Sequence, residues 1–148
     1  PTMLERIKES ISIKKLKKWK HVGSPSVVVV TISARRSVSV LKALSGLKTR
    51  AAKLFPKNGD VKSQKAILTS GGTFGLAVGT PHRLQVLCDD DEVDMFAHTQ
   101  LVVIDCHVTN KDYTVATMPD TAAHVAALIQ QYILPQLHRR KDIRLAFF

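Results

Sequence analysis

The sequence has few of the features that mark a secreted or membrane-spanning protein. It contains only two cysteines, Cys88 and Cys106, in 148 residues. That number is too small for a disulfide scaffold and favours a reducing compartment, in which both thiols are small buried residues. Apolar runs such as 27–30 are far too short to cross a bilayer, and no apolar segment typical of a signal peptide follows the first lysines. Because the sequence starts at Pro1 rather than at Met, we expect it to be a fragment of a longer chain.

Two kinds of reactive site are also missing from the sequence. A nucleotide-phosphate loop needs the pattern G-x-x-x-x-G-K-[ST], and segment 45–49 matches only its end, because Leu47 separates the glycine from the lysine. His98, Cys106 and His107 show no spacing typical of metal ligands, and the adjacent Cys106 and His107 point to opposite sides of an extended chain. We therefore expect no catalytic residue, no metal, no ATP and no other cofactor.

Positive charge is concentrated in the N-terminal third of the chain. The net charge is +10, but residues 1–57 hold 14 Lys and Arg against two acidic residues, which gives +12, whereas residues 58–148 carry −2. Such a localised excess favours a nucleic acid or a nucleic-acid-rich particle as partner over a general effect on solubility.

Residues 1–24 are interpreted as a basic amphipathic helix or arm. Its apolar residues Leu4, Ile7, Ile11 and Trp19 lie on roughly one helical stripe, and lysines occupy the other positions. The lysines expected to contact phosphates are Lys14, Lys15, Lys17 and Lys18.

Strand-like and helix-like segments alternate along residues 25–148. Strands are predicted at 26–33, 49–55, 74–79, 99–105 and near the C-terminus, and helices at 34–47, 61–72, 80–88 and 121–134. This alternation predicts one α/β domain with a mainly parallel sheet and helices on both faces. Ligands of such sheets bind at the edge formed by the carboxyl ends of the strands, so the functional residues are expected in the loops of that edge.

Two loops of that edge carry arginines. The segment GTPHRL places Thr80 at a helix N-cap and Pro81 at the first helical position, so that free backbone N–H groups and Arg83 face an incoming anion. Arg35 and Arg36 follow the first strand. Spacing alone does not show whether the GTPHRL segment binds phosphate or is an ordinary strand-to-helix turn. It likewise does not show whether Arg35 and Arg36 bind phosphate or are simply solvated.

Asp105 follows the apolar strand 101–104, where nucleotide-hydrolysing folds keep carboxylates that bind metal and activate water. The next residue is Cys106, which cannot replace a carboxylate that positions the attacking water. We therefore interpret Asp105 as a structural residue that accepts hydrogen bonds from nearby loops, with the Thr80 turn as the expected partner.

Taken in order, these segments resemble the first RecA-like lobe of a DEAD-box RNA helicase. The loop with Arg35 is similar to motif Ia, Asn58 and Gly59 to the Gly-Gly loop, and AVGTPHRL to motif Ib, whereas motif II keeps only Asp105. The Q motif, motif I and the Ser-Ala-Thr motif are not found. Residues 25–148 are more closely similar to the Cms (Cms-one-like) family of helicase-related nucleolar proteins, which combines KLF-K, a Gln-Lys helix, VGTP-R and a V-D strand.

This resemblance implies a single RecA-like, P-loop-NTPase-like domain over residues 25–148 that lacks the P-loop. It further implies a non-catalytic RNA- or RNP-binding factor of the small-subunit processome, located in the nucleolus, with pre-ribosomal RNA and ribosome-assembly proteins as partners. The edge that grips RNA in helicases would be retained, and it comprises Ser33, Arg35, Arg36, Asn58, Gly59, Gly79, Thr80 and Arg83. Two alternatives stay open: a lobe of an RNA-dependent ATPase whose phosphate loop lies elsewhere, and a purely protein-binding scaffold.

Overall fold

Four consecutive valines form the central strand of the sheet in the computed structural model, which describes residues 1–148. All four are 0% exposed, because a strand covered by helices on both faces has no solvent-facing side. The five strands are β1 (Val27–Val30), β2 (Ala51–Leu54), β3 (Leu76–Gly79), β4 (Leu101–Ile104) and β5 (Arg144–Phe147). All pairings are parallel and the order is β2-β3-β1-β4-β5. The predicted parallel α/β sheet is confirmed, and the arrangement is consistent with a RecA-like fold.

Seven helices cover the two faces of this sheet. They are α1 (Met3–Ser10), α2 (Ile13–Lys17), α3 (Ala34–Ala43), α4 (Val61–Thr69), α5 (Pro81–Cys88), α6 (Pro119–Leu128) and α7 (Leu134–Arg139). Val27 and Val29 pack against apolar residues of α1, α2 and α3, whereas Val28 and Val30 pack on the opposite side, against residues of α4, α5 and α6. No helix is both long enough and apolar enough to cross a membrane.

The basic N-terminal segment is two short helices rather than one continuous helix. The first begins with a capping box, in which Thr2 and Glu5 exchange hydrogen bonds between side chain and backbone, and it ends before Ser12. Ile7 and Ile11 of the predicted stripe are buried, but Trp19 lies beyond α2, and the buried residue of α2 is Leu16. The helices therefore bury apolar residues against the sheet, and the domain boundary at residue 24 stays a prediction.

The predicted helix at 121–134 contains an irregular turn. Between α6 and α7, residues Ile129–Ile133 form a wide π-type turn. Pro135 follows it, and this residue has no N–H to donate and a ring that clashes with the carbonyl four positions earlier. A widened turn relieves that clash without ending the helical segment.

The strand β5 leaves one side of its backbone unpaired. The N–H groups of Arg144 and Phe148 donate to Gln100 and Ile104 on the β4 side, at 3.0 and 2.9 Å. The backbone N–H and C=O groups of alternate residues in a strand point in opposite directions. Those of Leu145 and Phe147 therefore face away from β4, where the sheet has no further strand.

We expect Leu16→Ala to lower the free energy of unfolding by about 2–4 kcal/mol, because it leaves a cavity at a side chain only 1% exposed. Urea titration followed by circular dichroism measures this change. Lys17→Ala, at an exposed position of the same helix, is the matched control and should change the value by at most about 0.5 kcal/mol. Equal midpoints for the two variants would show that α2 is peripheral to the folded core.

Candidate nucleic-acid interface

The carboxyl ends of the strands bring four of the predicted loops together. The backbone N–H of Thr80 donates to Leu54 at 3.4 Å, that of Thr31 to Gly79 at 2.9 Å, and that of Asp105 to Val30 at 2.9 Å. These bonds continue the sheet register past the last paired residues, so the loops after β1, β2, β3 and β4 start at one level. We call this surface the carboxyl edge.

Asp105 is held by Arg36 at this edge. The Nε of Arg36 donates to Oδ2 at 2.7 Å and its Nη2 to Oδ1 at 3.0 Å, a two-point ion pair. The residue Asp105 is 1% exposed, and these hydrogen bonds raise the pKa of Arg36. The expected structural role is therefore supported by the geometry, but the predicted partner was wrong: the carboxylate binds Arg36 in the first turn of α3, which follows the neighbouring strand β1, and not the Thr80 turn.

The start of α3 leaves one arginine free. Ser33 is the N-cap of α3, and its Oγ accepts a hydrogen bond from the backbone N–H of Arg36 at 3.0 Å. The hydroxyls of Thr31 and Ser37 meet at 2.6 Å below this cap. Arg35 is exposed and forms no ion pair. Of the two predicted arginines, only Arg35 presents a wholly free guanidinium to an incoming phosphate.

Arg83 joins the loop after β2 to α5. Its Nη1 donates to the carbonyl of Gly59 and to Oε1 of Gln64, both at 2.8 Å. Gln64 is fully buried, and its Nε2 donates to the carbonyl of Phe55 at 3.1 Å. Gly59 has φ +125°, a conformation that side chains disfavour. The sequence pattern missed Gln64, which fixes the position of Arg83, because its role depends on a loop that closes over it.

The remaining residues of the carboxyl edge differ in exposure. Gly79 is buried, and a Cβ there would lie 2.5 Å from the carbonyl oxygen of Leu54, so glycine is required for packing. Thr80 is the N-cap of α5, as predicted, but its side chain accepts no capping hydrogen bond. Asn58 is exposed and donates to Lys53 over 3.4 Å. Asn58 and Thr80 therefore add accessible polar groups to the carboxyl edge.

The lysines of α2 lie at the opposite end of the sheet. The carbonyl of Leu16 accepts from Thr49, just before β2, at 3.3 Å, and Trp19 donates to the carbonyl of Ser24, just before β1, at 2.7 Å. A four-residue strand spans about 13 Å, so the two predicted sets of residues form separate surfaces. The lysines there, all exposed, are Lys14, Lys15, Lys17 and Lys18. We call this surface the amino edge.

The amino edge also contains an aromatic group that the charge and periodicity of the sequence do not indicate. The rings of Trp19 and His21 meet edge to face with centroids 4.9 Å apart, and His21 stacks on His98 at 3.9 Å. The sequence KKWKH placed Trp19 on an apolar stripe. An aromatic residue flanked by lysines is the signal that would have identified this group.

Neither cysteine is an activated nucleophile. Burial raises the pKa of Cys88 to about 12. Partial burial and the neighbouring charge of Asp105 also raise the pKa of Cys106. Both thiols are free and protonated at neutral pH. Cys88 is buried as predicted, whereas Cys106 is only half-buried.

Comparison with known proteins identifies similar sequences. The family described as "CMS1: U3-containing 90S pre-ribosomal complex subunit" matches residues 2–148. "Protein CMS1" of Chaetomium thermophilum is 28% identical over 134 residues, which cover 87% of this chain and 53% of that protein. "Protein CMSS1" of Xenopus laevis is 32% identical over 88 residues, or 58% of this chain and 31% of that protein. The chain thus spans about half the length of the first relative, and less of the second.

We expect Arg36→Ala to lower the free energy of unfolding by about 2–4 kcal/mol, because it leaves a buried carboxylate without its partner. The lower part of this range is expected, since the Arg36 side chain is 28% exposed. Asp105→Asn should cost about 1–2 kcal/mol, and the double variant less than the sum of the two. Urea unfolding measures all three, with Arg35→Ala as the exposed control. Strict additivity would show that the two side chains contribute independently.

Proposed function

The chain belongs to the CMS1 family, and from this membership we propose that it is a non-catalytic RNA- or RNP-binding part of a pre-ribosomal particle. The family description concerns a subunit of a 90S pre-ribosomal complex, and on this basis the proposed process is ribosome biogenesis. We further propose small-subunit assembly in the nucleolus, with pre-ribosomal RNA and assembly proteins as partners.

The observation that carries this proposal is the unneutralised positive charge of the N-terminal third. Ion pairs engage Arg36, Lys65 and Arg140, but none of the lysines of α1 or α2. An exposed cluster of lysines that forms no ion pair within the protein attracts a polyanion and releases counterions on binding. Contacts of this kind position a protein on RNA without reading its sequence, as an assembly factor held also by other proteins requires.

The carboxyl edge is proposed as a second, smaller contact surface. Arg35, Asn58 and Thr80 supply its free polar groups. Arg36 and Arg83 hold the loops in place through Asp105 and Gly59, and each keeps N–H groups that these contacts leave unpaired. Gly79 permits the close approach of the neighbouring strand, and Ser33 caps α3.

The geometry around Asp105 supports a non-catalytic role. Both carboxylate oxygens accept hydrogen bonds from Arg36, so a metal ion at this position would have to displace a guanidinium. The neighbouring Cys106 offers a protonated thiol where an ATPase needs a carboxylate to orient water.

RNA binding by the chain should depend strongly on salt. We expect log K to fall linearly with log salt, with a slope of roughly 0.7–0.9 per phosphate contacted. A variant with alanine at positions 14, 15, 17 and 18 should bind more weakly at low salt and show a slope smaller by roughly 3. Fluorescence anisotropy with a labelled structured RNA measures both quantities. The control carries alanine at Lys62 and Lys111, which are exposed away from the lysines of the amino edge. Absence of binding by the unchanged chain at low salt would contradict the proposal.

The chain should not hydrolyse ATP faster than a protein-free blank, with or without RNA, because Asp105 is already paired and Cys106 cannot position water. Release of phosphate from ATP measures this. Turnover that RNA stimulates and that Asp105→Asn abolishes would replace the non-catalytic proposal with an ATPase.

A further inference from the structure

The amino edge contains an open groove lined by aromatic rings and lysines. Its volume is about 350 Å³, within the range of small-ligand sites. The lining residues are Lys14, Lys15, Lys18, Trp19, Lys20 and His21. Trp19 is half-buried, and it is the only tryptophan in the chain.

The indole of Trp19 is fixed in orientation. Its Nε1 donates to the carbonyl of Ser24 at 2.7 Å. Ser24 is itself buried, and its hydroxyl donates to the carbonyl of Met95 and accepts from the backbone N–H of His98, both at 2.8 Å. The ring is therefore tied to two segments of the folded body, so a flat ligand can stack on it at little cost in conformational entropy.

The histidines extend this aromatic surface. His21 lies edge to face with Trp19 and stacks on His98 at an interplanar angle of 14°. Partial burial lowers the pKa of His21, and the charges of His98 and Lys20 act in the same direction. At neutral pH the ring of His21 is uncharged, so it adds aromatic surface rather than positive charge to the groove.

The lysines of the groove have no acidic counterpart. Lys14, Lys15, Lys18 and Lys20 are exposed, and none forms an ion pair. Non-specific single-strand sites combine aromatic rings that stack on bases with a positive groove that follows the phosphates. An acidic peptide would use the lysines but would leave the aromatic rings without a matching face.

We propose that this groove binds an unpaired nucleobase of single-stranded RNA against Trp19, with the surrounding lysines on the flanking phosphates. The inference rests on the proposed RNA-binding function and specifies its substrate class as single-stranded rather than duplex RNA. Stacking needs a free base face, which a paired and stacked base in a duplex does not offer.

The emission of Trp19 reports this contact directly, because the chain has no other tryptophan. The unchanged chain is titrated with a short oligouridine and with an abasic strand of the same length and charge. We expect saturable quenching with oligouridine only, and an affinity for it that exceeds that for the abasic strand by roughly 5- to 100-fold, the range measured for stacking on one aromatic residue.

Two variants separate stacking from charge, and because Trp19→Ala removes the emission signal, the affinities are measured by the fluorescence anisotropy of labelled strands. Trp19→Ala should reduce the preference for oligouridine over the abasic strand to less than about twofold while the salt dependence stays unchanged. Lys18→Ala with Lys20→Ala should reduce the salt slope by roughly 1.4 and keep the preference. Lys62→Ala with Lys111→Ala is the matched charge control and should alter neither. Circular dichroism confirms folding, and Trp19→Phe, which keeps an aromatic face, should retain most of the preference.

The outcomes distinguish this inference from the proposed function. Equal binding of both strands, with no change in Trp19 emission, would overturn the stacking site and leave electrostatic RNA binding intact. Binding of neither strand would overturn both. Quenching by polyglutamate, with displacement of oligouridine at equal charge, would assign the groove to an acidic peptide instead.

Discussion

The ion pair between Arg36 and Asp105 determines the character of the carboxyl edge. It joins the end of β4 to the first turn of α3 and so connects two neighbouring strands through side chains as well as backbone. A carboxylate at a strand end would face solvent and attract metal if it were free. Here its charge is satisfied within the protein, and the same contact removes one arginine from the charge available to a ligand. The edge is therefore more rigid and less positive than its sequence indicates.

Most of the unpaired positive charge lies at the amino edge, at the opposite end of the strands. Arg83 is occupied with Gly59 and Gln64, whereas the lysines of α2 are exposed and unpaired. The helix that carries these lysines is fixed to the folded core, because its residue Leu16 is buried in the apolar cluster. A partner held at both edges would have to extend past the full length of a strand. Such a partner fits an RNA or a large particle better than a small ligand.

Most of the fold could be predicted from the sequence, and much of the site could not. Runs such as Val27–Val30 predict buried parallel strands because few other structures accommodate β-branched residues without a polar face. The start of α5 at Thr80 and Pro81 could also be predicted, because it depends only on residues that are neighbours in the sequence. The partner of Asp105, in contrast, lies 69 residues away, and no spacing rule specifies a contact that the sheet order creates. The position of Trp19 was missed because a helix break at Ser12 changed which residues face the core.

The open side of β5 has a consequence for the behaviour of the protein in solution. A strand that offers unpaired backbone groups can pair with the same strand of another copy, and Phe147, 59% exposed, adds an apolar surface there. A net charge of +10 keeps two copies apart at low ionic strength. Added salt screens that repulsion, with a Debye length of about 10 Å at 0.1 M. Colloidal stability and the proposed binding of RNA would therefore respond to the same variable, since salt that weakens attraction to a polyanion also lets the sheet edges of two copies approach.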